Sequence, residues 1–126
     1  MKAPAAVNRL VTMREENDCA IVALSAYLGV TYEDVLRAVT MTDRKQGKHG
    51  LWTQTLVRIA ARLGFRLRKR TVDLEQGYGL LRLPDHAVVL RSGLVFDGTS
   101  VWEADEYLVA RGCMASDCDF LEAVDA

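Results

Sequence analysis

Glu16-Asn17-Asp18-Cys19-Ala20-Ile21-Val22-Ala23-Leu24 is the stretch around which the rest of the chain is read. Two charged residues and an amide run directly into apolar residues, with a cysteine at the join. Asp18 or Asn17 suits an N-cap, accepting a hydrogen bond from a first-turn backbone N–H. Gly29, after Tyr27-Leu28, tolerates the left-handed conformation that ends helices. The pattern therefore predicts a helix over roughly 18–28, apolar nearly all round and so buried. Cys19 falls in its first turn, where the helix dipole and unpaired N–H groups favour a thiolate. The alternative is a small core hydrophobe, since free cysteine is among the most buried residue types. The remaining segments decide between the two.

Downstream, Val30-Thr31-Tyr32-Glu33-Asp34-Val35-Leu36-Arg37-Ala38-Val39 predicts a second, short helix. Thr31 is its N-cap with an acid at the third helical position, and Val35, Leu36 and Val39 form one apolar face. Asp43 to Gly50 is a polar, glycine-containing loop; its His49 stands beside lysines and reads as solvated. Trp52, Leu56, Ile59, Ala60 and Leu63 recur at helical spacing and Gly64 closes a third helix beginning near Trp52 or Thr53. Phe65-Arg66-Leu67-Arg68-Lys69-Arg70-Thr71-Val72 then alternates and reads as a strand. Its basic residues suit a charged edge that blocks sheet-to-sheet pairing.

Leu83-Pro84-Asp85-His86-Ala87-Val88-Val89-Leu90 and Leu94-Val95-Phe96-Asp97 are β-rich runs flanking Ser92-Gly93, a hairpin signal. A two-residue turn at Ser92-Gly93 sets Arg91 opposite Leu94, Val89 opposite Phe96 and Val88 opposite Asp97. Side chains alternate faces along a strand, so His86 shares a face with Val88 and with Asp97. The two are diagonal neighbours within side-chain reach. Thr99 to Glu103 reads as a strand or turn and Asp105 to Ala110 as a short helix. Residues 111–126 read as a C-terminal tail, as residues 1–13 read as an N-terminal arm. Helices thus precede strands: the fold class is α+β, a helical half to about residue 64 packed on a small antiparallel sheet.

A chain of 126 residues, 50% hydrophobic and 26% charged, reads as a single domain over 1–126 with its own core. A net charge of −1 gives no support for a nucleic-acid partner. No apolar run is long enough to span a membrane, and residues 1–9 make a poor signal peptide. Three cysteines, an odd number, do not suggest a disulfide framework. Cys113 and Cys118 have no second ligand pair, so no metal and no cofactor is expected. The expected setting is a reducing interior, the cytoplasm or a virion assembled there.

A cysteine on a helix N-terminus, with a histidine and an aspartate on one hairpin face, is the arrangement of a thiol nucleophile. His86 would take the thiol proton and Asp97 would orient and stabilise the imidazolium. The order Cys, His, Asp is that of papain-like enzymes. Asp18-Cys19-Ala20 before an apolar helix resembles the Asp-Cys-Gly motif of the bacteriocin-processing, double-glycine leader peptidases. Gly50-Leu51-Trp52 leading into Ala60-Ala61-Arg62-Leu63-Gly64-Phe65 resembles their third helix and following strand. Asp85-His86-Ala87-Val88-Val89-Leu90 and Phe96-Asp97-Gly98 resemble their His and Asp strands. Small uncharacterised papain-fold proteins of bacteria and their phages resemble the Glu-Asn-Asp-Cys start as well.

This resemblance implies a papain-like fold and a cysteine peptidase or related amide hydrolase acting on a peptide or protein substrate. It also marks two departures. Those peptidases carry a glutamine six residues before the cysteine that donates to the oxyanion; Met13 stands there and cannot donate, leaving Asn17 as the nearby amide. One oxyanion donor is worth about 10²–10³ in rate. The glycine after the cysteine is replaced by Ala20. The alternative expectation is therefore a papain-fold module with weak or no catalysis, binding other proteins of an assembly such as a phage virion.

Overall fold

The computed structural model describes residues 19–40, 53–84 and 86–124. Helices α1 (Cys19–Leu28), α2 (Tyr32–Ala38) and α3 (Thr53–Arg62) come first. Six strands follow: β1 (Arg66–Arg70), β2 (Tyr78–Leu83), β3 (His86–Arg91), β4 (Leu94–Asp97), β5 (Ser100–Glu103) and β6 (Asp119–Val124), with α4 (Ala104–Arg111) between the last two. The strands form one antiparallel sheet in the order β1-β6-β2-β3-β4-β5. The α+β expectation is met: among the described residues three helices lead, and the sheet is antiparallel throughout.

All ten residues of α1 are buried. Helix α1 packs chiefly on β3 and α2, and its apolar surface forms one core with Val35, Leu56, Ile59, Phe65, Leu80, Val89 and Leu121. Tyr27 ties the helix down. Its hydroxyl accepts from the Ala123 N–H at 2.8 Å and donates to the Tyr78 carbonyl at 3.4 Å, bridging β6 and β2. Gly29 ends the helix at φ 70, as its position predicts. Thr31 caps α2 by accepting from the Asp34 N–H at 3.0 Å.

The opposite face of the sheet carries a second core. There α4 sets Ala104, Tyr107 and Leu108 against Leu81, Leu83, Val88, Leu90, Val95 and Phe120. Val88 and Leu90 face α4 while Ala87 and Val89 face α1, so β3 is buried on both sides. Helix α4 closes on Gly112 at φ 68.

Two elements differ from expectation. Residues 111–126 are not a tail: β6 lies inside the sheet between β1 and β2 and pairs with both. β2, which the sequence pattern did not reveal, pairs with β3 along its whole length. Strand β1 is an edge, as its charges suggest, with Lys69 3.0 Å from Asp119 and Arg70 3.5 Å from Glu122 on its neighbour. The expected arm at 1–13, the N-cap at Asn17 or Asp18, Met13 and the His49 loop lie outside the described residues.

Candidate active site

The site is assembled at one end of the sheet, remote from the hairpin turn. His86 is the first residue of β3 and Asp97 the last of β4. The turn between them has Ser92 at φ 49 and Gly93 at φ 84, positive at both central positions as a type I′ hairpin requires. The register is Arg91↔Leu94, Leu90↔Val95 and Val89↔Phe96, with no bulge, which leaves His86 and Asp97 on a shared face. Their side chains meet: His86 Nε2 lies 2.9 Å from Asp97 Oδ1, with the side chains 12% and 19% exposed.

Cys19 begins α1 and is 7% exposed. Its sulfur hydrogen-bonds the His86 side chain. With Nε2 committed to Asp97, Nδ1 is the ring nitrogen left for the sulfur. The three expected residues are thus brought together, from the head of a buried helix and the two arms of a hairpin.

Their electrostatics are mutually reinforcing. Burial pushes the Cys19 thiol up, but the hydrogen bond and charge of His86 and the backbone N–H groups of Ala87 and Ala20 outweigh it, leaving the thiol below its ordinary value. The hydrogen bond to Asp97 and then that to Cys19 raise His86, against burial, to about 9. Burial raises Asp97, yet the hydrogen bond and charge of His86, the Tyr107 hydroxyl and the Arg111 charge hold it below the usual carboxylate range. The arrangement favours a thiolate–imidazolium pair beside an ionised carboxylate.

A cavity of about 10 Å³ adjoins the sulfur, lined by Cys19, Val22 and Ala23 from α1, Ala87 from β3, and Phe96 and Asp97 from β4, among others. It is at the limit of what one water needs and admits no side chain. Among the described residues no group of three His, Cys, Asp or Glu side chains is placed to hold a metal ion.

One residue of the site has no precursor in the sequence reading. The Tyr107 hydroxyl donates to Asp97 Oδ2 at 2.9 Å, so the carboxylate is held at both oxygens. The signal available was the apolar face Ala104, Tyr107, Leu108 of a short helix, which marks Tyr107 as a core residue whose hydroxyl needs a partner.

Two solved structures share this architecture. One is the peptidase domain of Streptococcus mutans ComA: TM-score 0.58, 15% identity, covering 92% of this chain and 98% of that one. The other is the peptidase domain of Streptococcus ComA, a bi-functional ABC transporter involved in a quorum-sensing pathway: TM-score 0.62, 14% identity, covering 94% of this chain and 98% of that one. No protein-family model and no curated protein matches the chain. At these identities the likeness establishes the fold, that of a papain-like peptidase domain, over nearly the whole chain.

Proposed function

We propose that this protein is a cysteine peptidase or related amide hydrolase in which Cys19 is the nucleophile, His86 the acid–base and Asp97 its orienter. The observation that supports this reading best is the linked chain of contacts from the Cys19 sulfur through the His86 ring to Asp97 at 2.9 Å. A papain-like peptidase fold is consistent with it.

In this mechanism the Cys19 thiolate attacks the carbonyl carbon of a peptide bond, and the electron pair of the carbonyl moves onto its oxygen. The His86 imidazolium passes its proton to the departing amine, and the C–N bond breaks to leave a thioester on Cys19. Neutral His86 then takes a proton from water, whose hydroxide attacks the thioester and releases the acid. Asp97 keeps the ring oriented and stabilises its cationic form. Asn17 is the proposed side-chain donor to the oxyanion. The substrate is a peptide or protein.

The test is amide-bond turnover by the native protein and by Cys19→Ala against a peptide library, with products read by mass spectrometry. Cleavage that disappears in Cys19→Ala, and falls by about 10³-fold or more in His86→Ala, is expected. Cleavage that persists in Cys19→Ala would assign the activity elsewhere. A Cys19 thiol no more reactive than an ordinary cysteine, in a protein that cleaves nothing, would leave a binding module.

A further inference from the structure

We propose that Tyr107 is a positioning residue: its hydroxyl fixes the Asp97 carboxylate so that the other oxygen stays aimed at His86, linking α4 on one face of the sheet to the thiol on the other. The inference rests on the Cys19–His86–Asp97 reading and extends it to a fourth residue on a separate element.

The geometry divides the carboxylate cleanly. Oδ1 meets His86 Nε2 at 2.9 Å and Oδ2 receives the Tyr107 hydroxyl at 2.9 Å. A carboxylate held at one oxygen can rotate about its own side-chain torsions; one held at both cannot without breaking a bond. Tyr107 is itself enclosed by its neighbours. It is 2% exposed, with its ring edge-on to Trp102 at 5.9 Å between centroids. The Arg111 guanidinium, one turn along α4, lies 5.9 Å from the same ring.

Packing does not account for the hydroxyl. Phenylalanine would fill the same space, and a buried hydroxyl is costly unless it is paired. Here its partner is the carboxylate beside the imidazole. The charged and titratable groups around Asp97 are His86 from β3, Tyr107 and Arg111 from α4, and those around Tyr107 are Asp97, Arg111 and Cys19 from α1.

The test is the pH profile of Cys19 alkylation by iodoacetamide, read at Cys19 by mass spectrometry, in the native protein, Tyr107→Phe, Asp97→Asn and the double variant. The phenylalanine keeps the ring, and an unchanged circular dichroism spectrum and unfolding midpoint within a few degrees establish the fold. A carboxylate released at Oδ2 is free to turn away from the ring, and this loss of orientation predicts a rate at pH 6 about 3–10-fold lower in Tyr107→Phe, with the acid limb of the profile displaced upward. The sign is diagnostic. Charge alone works the other way, because a carboxylate that loses a donor is more basic and supports the imidazolium better, so a faster rate in Tyr107→Phe overturns the proposal. In the Asp97→Asn background the same substitution should change the rate by less than about twofold, since the residue acts through Asp97.

A Tyr107→Phe profile that superimposes on the native one overturns the proposal and leaves the triad reading intact. An equal loss with and without Asp97 also overturns it, because the tyrosine would then act by packing. A native Cys19 without enhanced reactivity at pH 6 removes the triad reading and the proposal together.

Discussion

Cys19, at the head of α1, and Cys118, just after the single-turn helix at Ala115–Asp117, are both thiols withdrawn in part from water. Burial is the largest influence on each, and on each it acts in the same direction, upward. Yet they end on opposite sides of an ordinary cysteine. Cys118 lies near Asp117 and Asp119, whose negative charge adds to the effect of burial, and rises to about 11. Its S–H donates to the Met114 carbonyl at 3.5 Å, which holds the proton further. Cys19 faces His86 and two backbone N–H groups, and falls. The difference teaches that concealment does not make a nucleophile; the sign of what surrounds the sulfur does.

The largest expected effect is the contrast itself. At pH 6 a thiol with a value near 11 is about one part in 10⁵ ionised, and even after allowing for the greater intrinsic nucleophilicity of a more basic sulfur, Cys19 should alkylate at least about 10²-fold faster than Cys118. Residue-resolved mass spectrometry after brief iodoacetamide treatment measures both sites in one sample. Comparable rates at the two sites would break the comparison.

His86→Ala should abolish most of that contrast from one side. With the imidazole gone, Cys19 keeps its burial and loses its principal counter-charge, so its value should rise above that of an ordinary thiol. Alkylation at pH 6 should fall by about 10–100-fold while Cys118, remote from the change, is unaffected. A Cys19 rate that survives the substitution would assign the activation to the backbone N–H groups of Ala87 and Ala20 alone.

How much of this was legible in the sequence follows from the range of the interactions involved. The hairpin was readable because Ser92-Gly93 and the flanking β-rich runs are local, and parity then carries His86 to Asp97 without knowledge of the rest. α1 was readable because ten consecutive residues needing burial leave few alternatives. The strands β2 and β6 were not. Gly79 weakens the strand signal of Tyr78-Gly79-Leu80-Leu81, and its reason lies elsewhere in the chain: a Cβ there would meet the Leu121 carbonyl at 2.3 Å and the Phe120 ring at 2.9 Å. Asp119-Phe120-Leu121-Glu122-Ala123-Val124 shows no alternation of polar and apolar residues, and becomes a strand by filling the place between β1 and β2. Tyr107 joins the site across the sheet for the same kind of reason. What was missed depends on partners distant in sequence, which no local pattern records.

The smallest expected effect concerns stability and sharpens the comparison by removing Cys19 itself. In the unfolded chain His86 titrates near ~6.5 and Cys19 near ~8.5. In the folded protein His86 is raised to about 9 and Cys19 is lowered. As pH rises above the unfolded His86 value, the raised imidazole loses its contribution to stability, while the lowered thiol gains one as pH approaches its unfolded value. The two contributions oppose each other, so the pair's net dependence on pH is reduced. Cys19→Ala removes the compensation. The folded His86 then stays raised by Asp97 alone, less than in the native protein. A group whose folded value exceeds its unfolded one stabilises fully below the unfolded value and loses that stability as pH rises through the folded value. Cys19→Ala should therefore lose about 1–2 kcal/mol between pH 6 and pH 9 relative to its own value at pH 6, whereas the native protein changes less over the same interval. Urea unfolding of both proteins at matched pH values measures it. Parallel pH dependences would mean that Cys19 carries its proton in the native state near neutrality, and that the thiol resembles Cys118 after all.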